Sequence, residues 1–433
     1  YVNNDDWIKL NNNNLNNNNN KYYNSFEKLN KNLYENWPKE FFNKTIIICA
    51  DIKYPDKLYK ILDGKNCKKN QKAVAIGNYR NGQNETGWGI LEIETFNYFS
   101  EEIQSYAAGL VEGLLTKNQI NLHYLNTANQ ICNNASKGYC YKLFNYIDNN
   151  LNWIKSKVLK LAKTDIYWYN VNLNEPSHCS GFIKITEGNK DLLMSHVSMA
   201  GFNTMNRILK LYKFAFAALS SADDYTLTSV KPKGQLNCWL RSYIANRLSF
   251  NARDWVQIFG RYNSGTYNNQ WTNKFLISRD ITWFIKQYGY WPSYNIPFLS
   301  KISELSGFNA KGLLNNWWRW GFTPRAKIFH RDHKKASIST RGDLNSPSGY
   351  WEVPGMGFRN HGSIDYKGTN FELFKQLRFE VIGGPTYGGP GNLPFFSWSN
   401  TKINTTHFGQ PINWNFTEFT TQWITNIPNN IIN

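Results

Sequence analysis

Cys179 stands in the stretch Ser177-His178-Cys179-Ser180-Gly181-Phe182-Ile183-Lys184-Ile185, where a polar, Pro-containing run gives way to alternation. Phe182 and Lys184 fall on one side, Ile183 and Ile185 on the other. Glu187-Gly188-Asn189-Lys190 reads as a turn, and Asp191-Leu192-Leu193-Met194-Ser195-His196 runs back. The pattern predicts a β-hairpin with a thiol at the first residue of its first strand. Such a cysteine has two readings. It can be a small side chain packed at a strand entrance, since cysteine is among the most buried residue types. Alternatively the bond before it is cut, and one residue then carries both a thiol and an α-amine. An amine of reference pKa about 7.7–8.0 is a usable base for the thiol beside it. The chemistry also needs positive charge to favour the thiolate, and donors for an oxyanion. Arg325 can supply the charge and Asn295 an amide donor, although spacing alone does not bring them to Cys179.

Other chemical signatures are missing from the chain. His330-Arg331-Asp332-His333 has two histidines three apart but no H-E-x-x-H pattern, and no cysteine pair has C-x-x-C spacing. There is no G-x-S-x-G elbow, phosphate loop or dinucleotide fingerprint. No cofactor or metal is expected. Three polar and aromatic stretches, Gly260 to Trp271, Tyr290 to Pro297 and Arg359 to Lys367, read as pocket walls or as hydrogen-bonded surface loops.

The elements that must position these residues form a mixed series. Residues 11–20 hold nine asparagines and one leucine, so residues 1–30 are expected to be a disordered lead. Residues 31–433 are read as a single domain. Thr45 to Ala50, Ala73 to Tyr79 and Gly87 to Ile93 read as strands, with a Gly/Asn loop from Arg80 to Thr86. Helices are expected at 100–116, about 141–161, 204–219 and 242–260. In the third, Arg207, Lys210 and Lys213 would form the wet side. Ala326 to Phe329 reads as a short strand. Strands, then helices, then strands again indicate an α+β layered fold.

The 433 residues include 49 basic and 31 acidic side chains, a net charge of +18, spread without a Lys/Arg block. This balance suits anionic partners such as lipid headgroups. No nucleic-acid partner is expected, because no Arg-rich arm or zinc-finger spacing is present. Cys132 and Cys140 flank a turn-rich loop that could close as a disulfide. N-x-S/T sequons stand at Asn43, Asn84, Asn134, Asn404 and Asn415. Together these favour an oxidising, secretory setting.

Longer strings then carry a resemblance. They include Gln104-Ser105-Tyr106-Ala107-Ala108-Gly109-Leu110-Val111-Glu112, Cys179-Ser180 with Asp191-Leu192-Leu193 and His196, and Asn263 to Trp271. Further on come Ser293-Tyr294-Asn295-Ile296-Pro297, Pro324-Arg325-Ala326-Lys327-Ile328-Phe329, His361 to Lys367 and His407-Phe408-Gly409-Gln410-Pro411. Through nearly its whole length the chain resembles the phospholipase B-like family of N-terminal-nucleophile hydrolases. The resemblance implies an αββα sandwich, made as one precursor and cut into 31–178 and 179–433. It implies fatty-acyl release from glycerophospholipids at a membrane surface, in a lysosomal or secreted setting. Cys179 would be the nucleophile, His196 a neighbour of it, Asn295 an oxyanion donor and Arg325 the cation favouring the thiolate. The alternatives are an N-acyl amide hydrolase on the same machinery, or a lipid-binding glycoprotein with a degenerate site. This chain departs from the family pattern by short stretches between Trp168 and Cys179 and between Asp224 and Lys231.

Overall fold

The structure is a computed structural model. It describes residues 44–423 with interruptions, of which the longest are 128–137, 154–177, 222–233, 263–277, 309–318 and 335–362. The Asn-rich lead, Cys132, Cys140, Asn43, Asn134, residues 263–271 and His361 lie outside the described residues.

Fourteen strands are named in chain order. They are β1 (Lys44–Asp51), β2 (Leu58–Leu62), β3 (Gln71–Gly82), β4 (Trp88–Thr95), β5 (His178–Ile185), β6 (Leu192–Met199) and β7 (Arg207–Phe214). β8 (Ala217–Ser221), β9 (Tyr290–Tyr294), β10 (Asp365–Thr369), β11 (Glu380–Gly383), β12 (Phe396–Ser397), β13 (Asn413–Trp414) and β14 (Phe419–Thr420) follow. They build two six-stranded sheets, β2-β1-β3-β4-β7-β8 and β14-β11-β10-β6-β5-β9, and a small β12-β13 ribbon. In the first sheet β4 pairs β7 in parallel and the remaining pairs are antiparallel.

The first sheet is covered on one face by α1 (Glu101–Asn126). Alternate residues Ile46, Ile48, Leu91, Ile93, Tyr212 and Phe214 pack against Ala107, Ala108, Val111 and Leu115 of α1. The helix sits close because β3 carries Gly77, where a Cβ would lie 2.1 Å from Val111 Cγ1. The opposite face presents Trp88, Ile90 and Leu209, which meet Val381 of the second sheet. At one end the approach is closer still: a Cβ on Gly383 would lie 2.6 Å from the Thr86 carbonyl oxygen. The second sheet turns Phe182, Val197, Met199, Tyr294 and Tyr366 outward onto Ala326 and Phe329. Full burial of an aliphatic side chain such as Leu209 or Leu211 contributes about 1.5–3 kcal/mol.

Several expectations are corrected. Residues 204–219 are not a helix but the end of a 3-10 turn followed by β7 and β8. Arg-Ile-Leu-Lys-Leu-Tyr-Lys-Phe satisfies helical and strand spacing alike, and the parallel pairing with β4 decides it. Its cations are not a wet side: Arg207 pairs Asp365 at 2.8 Å, Lys210 pairs Glu112 at 2.7 Å and Lys213 pairs Glu92 at 2.6 Å. Residues 242–260 form two helices, α2 (Cys238–Leu248) and α3 (Ala252–Gly260). The break comes where Asn251 caps α3, its Oδ1 accepting from the Asp254 amide at 3.0 Å. Ala326 to Phe329 is helical, inside α4 (Pro324–Asp332). Thr323 caps that helix and Pro324 occupies its first turn, a start signal that outweighs a four-residue alternation. The Arg80 to Thr86 loop is instead the end of β3 and one helical turn, Gln83–Thr86. The helix expected at 100–116 runs ten residues further, to Asn126. Between 141 and 153 the described residues are helical, and 154–161 lie outside them.

A disulfide not anticipated from spacing joins Cys49 of β1 to Cys67.

Candidate active site

The hairpin around Cys179 forms as expected, with β5 and β6 antiparallel and a 3-10 turn at Glu187–Asn189 between them. Cys179 is the second residue of β5 rather than the first. It is a half-buried thiol outside any disulfide, directly opposite Ser198; Gly181 lies opposite His196. On the far side of β6, His196 pairs with Lys367 of β10. Strand alternation therefore places Cys179, Ser198, His196, Lys367 and Asp365 on one face of the second sheet. Arg207, on β7 of the first sheet, reaches Asp365 and so identifies this face as the one turned toward the first sheet.

Here the polar chemistry is dense. Lys367 Nζ donates to Asp365 Oδ1 at 2.7 Å and to Ser198 Oγ at 3.1 Å. Arg207 Nη2 donates to the same Ser198 Oγ at 3.2 Å, and the Ser198 amide donates to Asp365 Oδ1 at 2.8 Å. Asp365 and Ser198 are wholly buried. Burial raises the Asp365 carboxyl, but the charges of Arg207 and Lys367 outweigh it and hold the pKa down at about 2. Burial, followed by the charges of Lys367 and Arg207, lowers His196 to about 3, so its imidazole is neutral near pH 7. Burial also lowers Lys367; the charge of Asp365 and, less strongly, that of a Cys179 thiolate oppose the shift. His123, on α1, is lowered to about 4 by burial and by Arg207.

Arg325 and Asn295 approach from the other face. Arg325, in the first turn of α4, donates through Nη1 to the Cys179 carbonyl at 2.9 Å and to Ser180 Oγ at 3.0 Å. Its Nη2 donates to Asn295 Oδ1 at 2.7 Å. Its guanidinium also lies over the Tyr294 ring, 5.8 Å from the centroid. The structure thus sets His196 on the face that carries the Cys179 side chain, and joins Arg325 and Asn295 to the Cys179 backbone from the opposite face. Arg325 reaches Cys179 through the backbone carbonyl. With Oδ1 accepting from Arg325, the Asn295 amide nitrogen is its donor end.

Sequence reasoning assigned no role to Ser198, Arg207, Asp365 or Lys367. A signal existed for two of them: Asp365-Tyr366-Lys367 alternates, so both charged residues share a face of any strand. The His330/His333 pair is structural among the described residues. Tyr290 stacks on His333 at 4.2 Å, and its hydroxyl lies 3.3 Å from His330 Nδ1. Asn84, Asn404 and Asn415 are exposed.

Comparison with known proteins gives the family. A sequence profile of the family described as Phospholipase B matches residues 75–175, 172–229, 218–276, 273–337 and 334–421. The chain belongs to the phospholipase B family. "Putative phospholipase B-like 3" of Caenorhabditis elegans is 37% identical over 519 aligned residues, covering 85% of this chain and 89% of that protein. "Putative phospholipase B-like 2" of Mus musculus is 26% identical over 510, covering 81% and 85%. "Phospholipase B-like protein G" of Dictyostelium discoideum is 25% identical over 512, covering 79% and 85%. The alignments are longer than the 433 residues here, so parts of the relatives have no counterpart in this chain. Two of the overlaps between successive profile segments fall at 172–175 and 218–229. They coincide with the two short stretches noted in the sequence.

Proposed function

We infer that this protein is an acyl hydrolase of the N-terminal-nucleophile type, acting on glycerophospholipids through Cys179. The observation that carries the reading is the position of Cys179. It is a thiol outside any disulfide, on a strand within a two-sheet core, beside buried cations and with its carbonyl held by Arg325. The succession of α1, first sheet, second sheet and α4 supports an αββα sandwich. Family membership, and relatives named phospholipase B-like, support the substrate class.

In this reading the Cys179 thiol attacks the His178 carbonyl, and the His178–Cys179 C–N bond breaks to give a thioester and a free amine. Water opens the thioester, leaving a carboxylate on His178. The freed thiol then attacks the acyl carbonyl of the lipid. The Cys179 amine takes the thiol proton and passes it to the leaving alcohol. A second water releases the fatty acid. A secretory or lysosomal setting is supported by the Cys49–Cys67 bridge and by the exposed Asn84, Asn404 and Asn415.

The test is mass spectrometry of protein purified from its native source, together with fatty-acid release from phosphatidylcholine. The expected result is a fragment with Cys179 at its N-terminus, and loss of both cleavage and release in Cys179→Ala. An intact, uncut chain, or release that persists in Cys179→Ala, overturns the reading. An N-acyl amide assayed in parallel separates ester from amide preference.

A further inference from the structure

The buried cluster opposite Cys179 holds more charge than packing requires. Replacing buried ion pairs by apolar side chains is often neutral or stabilising, so a site that keeps two cations and a carboxylate calls for a reason. Here the charges converge on one atom. Ser198 Oγ accepts from Lys367 Nζ at 3.1 Å and from Arg207 Nη2 at 3.2 Å. A hydroxyl has two acceptor sites and one hydrogen. With both sites engaged by cations, the hydrogen is left to donate. The residue directly across the strand pair, on the same face, is Cys179. Facing side chains of an antiparallel pair lie about 4.5–5.5 Å apart at Cβ, within reach of a hydroxyl and a sulfur after a rotamer change.

We propose that Lys367 and Ser198 are positioning residues for Cys179: Lys367, fixed by Asp365, polarises Ser198, and the two together hold the Cys179 sulfur as a thiolate. The inference deepens the acyl-hydrolase reading and rests on it for its purpose. The charged and titratable groups around the sulfur are Lys367, Asp365 and His196 from its own sheet, Arg207 from the first sheet and His123 from α1. Arg325 lies on the opposite face. Buried His196 is neutral at pH 7, so it adds no charge there. Asp365 is compensated by Arg207 as well as by Lys367, which leaves the ammonium effective toward a thiolate. A cation beside a cysteine is a common cause of a depressed thiol pKa.

The experiment needs no lipid substrate. The full chain is treated with iodoacetamide from pH 5 to 9, and alkylation of the Cys179 peptide is timed by mass spectrometry. Lys367→Met should slow alkylation at pH 7 by about tenfold or more, one pKa unit being a factor of ten, and move the midpoint to higher pH. Lys367→Arg should restore much of the rate. Ser198→Ala should show the same direction of change, more weakly. The charge-balanced double variant Lys367→Met/Asp365→Asn repeats the measurement if the single variant does not fold. Wild-type alkylation rates and midpoint in a folded Lys367→Met or double variant overturn the proposal. Because thiol reactivity is read directly, this outcome is separable from failure of self-cleavage or lipid hydrolysis.

Discussion

Cys179 is surrounded by groups whose protonation is set by burial. His196 and His123 both titrate below their ordinary range, at about 3 and about 4. In the unfolded chain each titrates near 6.5, so between those limits the unfolded state binds more protons. Stability from these two residues is complete above about pH 6.5 and is lost as pH falls toward their folded values. Asp365 loses its stabilising contribution only lower, as pH falls from about 3.8 toward 2. The melting temperature should therefore decline from pH 7 to pH 4.5. His196→Asn should flatten that decline, and a scan of wild type and variant over this range checks it; identical slopes would refute the assignment. Arg325 makes a second prediction at this scale. Arg325→Met leaves the Cys179 carbonyl and Asn295 Oδ1 without their donor, and should cost about 1–3 kcal/mol in urea unfolding.

At the scale of elements, α1 is the piece most firmly tied down. Its Gln104 accepts from Thr95 Oγ1 at 2.7 Å at one end. At the other, Asn126 donates to Asn206 Oδ1 at 2.8 Å and to the Phe408 carbonyl, and accepts from the Phe408 amide at 2.7 Å. Gln410 closes the clamp by donating to the Phe202 and Asn203 carbonyls and to Asn206. Each partner in the clamp is satisfied, so removing one member strands several others. Asn126→Ala should cost about 2 kcal/mol or more, read by urea unfolding, with no change in the iodoacetamide reactivity of Cys179. The strings Gln104 to Glu112 and His407 to Pro411 were visible as family patterns. Their meeting at the two ends of one helix, 282 residues apart at Asn126 and Phe408, was not. Likewise β7 was misread as a helix because its sequence carries both periodicities. Its identity depends on pairing with β4, which lies more than a hundred residues earlier.

Across the whole molecule, the bond between His178 and Cys179 divides the chain unequally with respect to its sheets. The first sheet takes β1 to β4 from before that bond and β7 and β8 from after it. The second sheet takes every strand from after it, apart from His178 at the start of β5. Separating the two parts would break the parallel β4-β7 ladder and expose Trp88, Ile90 and Leu209. The cut protein should therefore elute as one species in native size exclusion and separate into two bands under denaturing, reducing conditions. Elution of either fragment alone would contradict the sheet topology. The Cys49–Cys67 bridge lies wholly within the first part and contributes nothing to holding the two together. Its removal should cost about 2–4 kcal/mol of the stability of that part.

By itself the sequence determined the hairpin around Cys179, the first three long strands, the start of α1 and the family, and it singled out Cys179, His196, Asn295 and Arg325 as candidates. These are local patterns or contiguous strings, and a period of two or an N-cap is written in adjacent residues. Only the tertiary structure decided which face Cys179 occupies, and that Arg325 grips its carbonyl from behind. It also decided that Arg207, Lys210 and Lys213 are ion-pair members and that Ser198 stands between two cations opposite the thiol. The physical reason is that charge pairing across sheets is a long-range choice. A lysine in a strand looks solvated until the carboxylate that meets it, distant in sequence, is brought alongside.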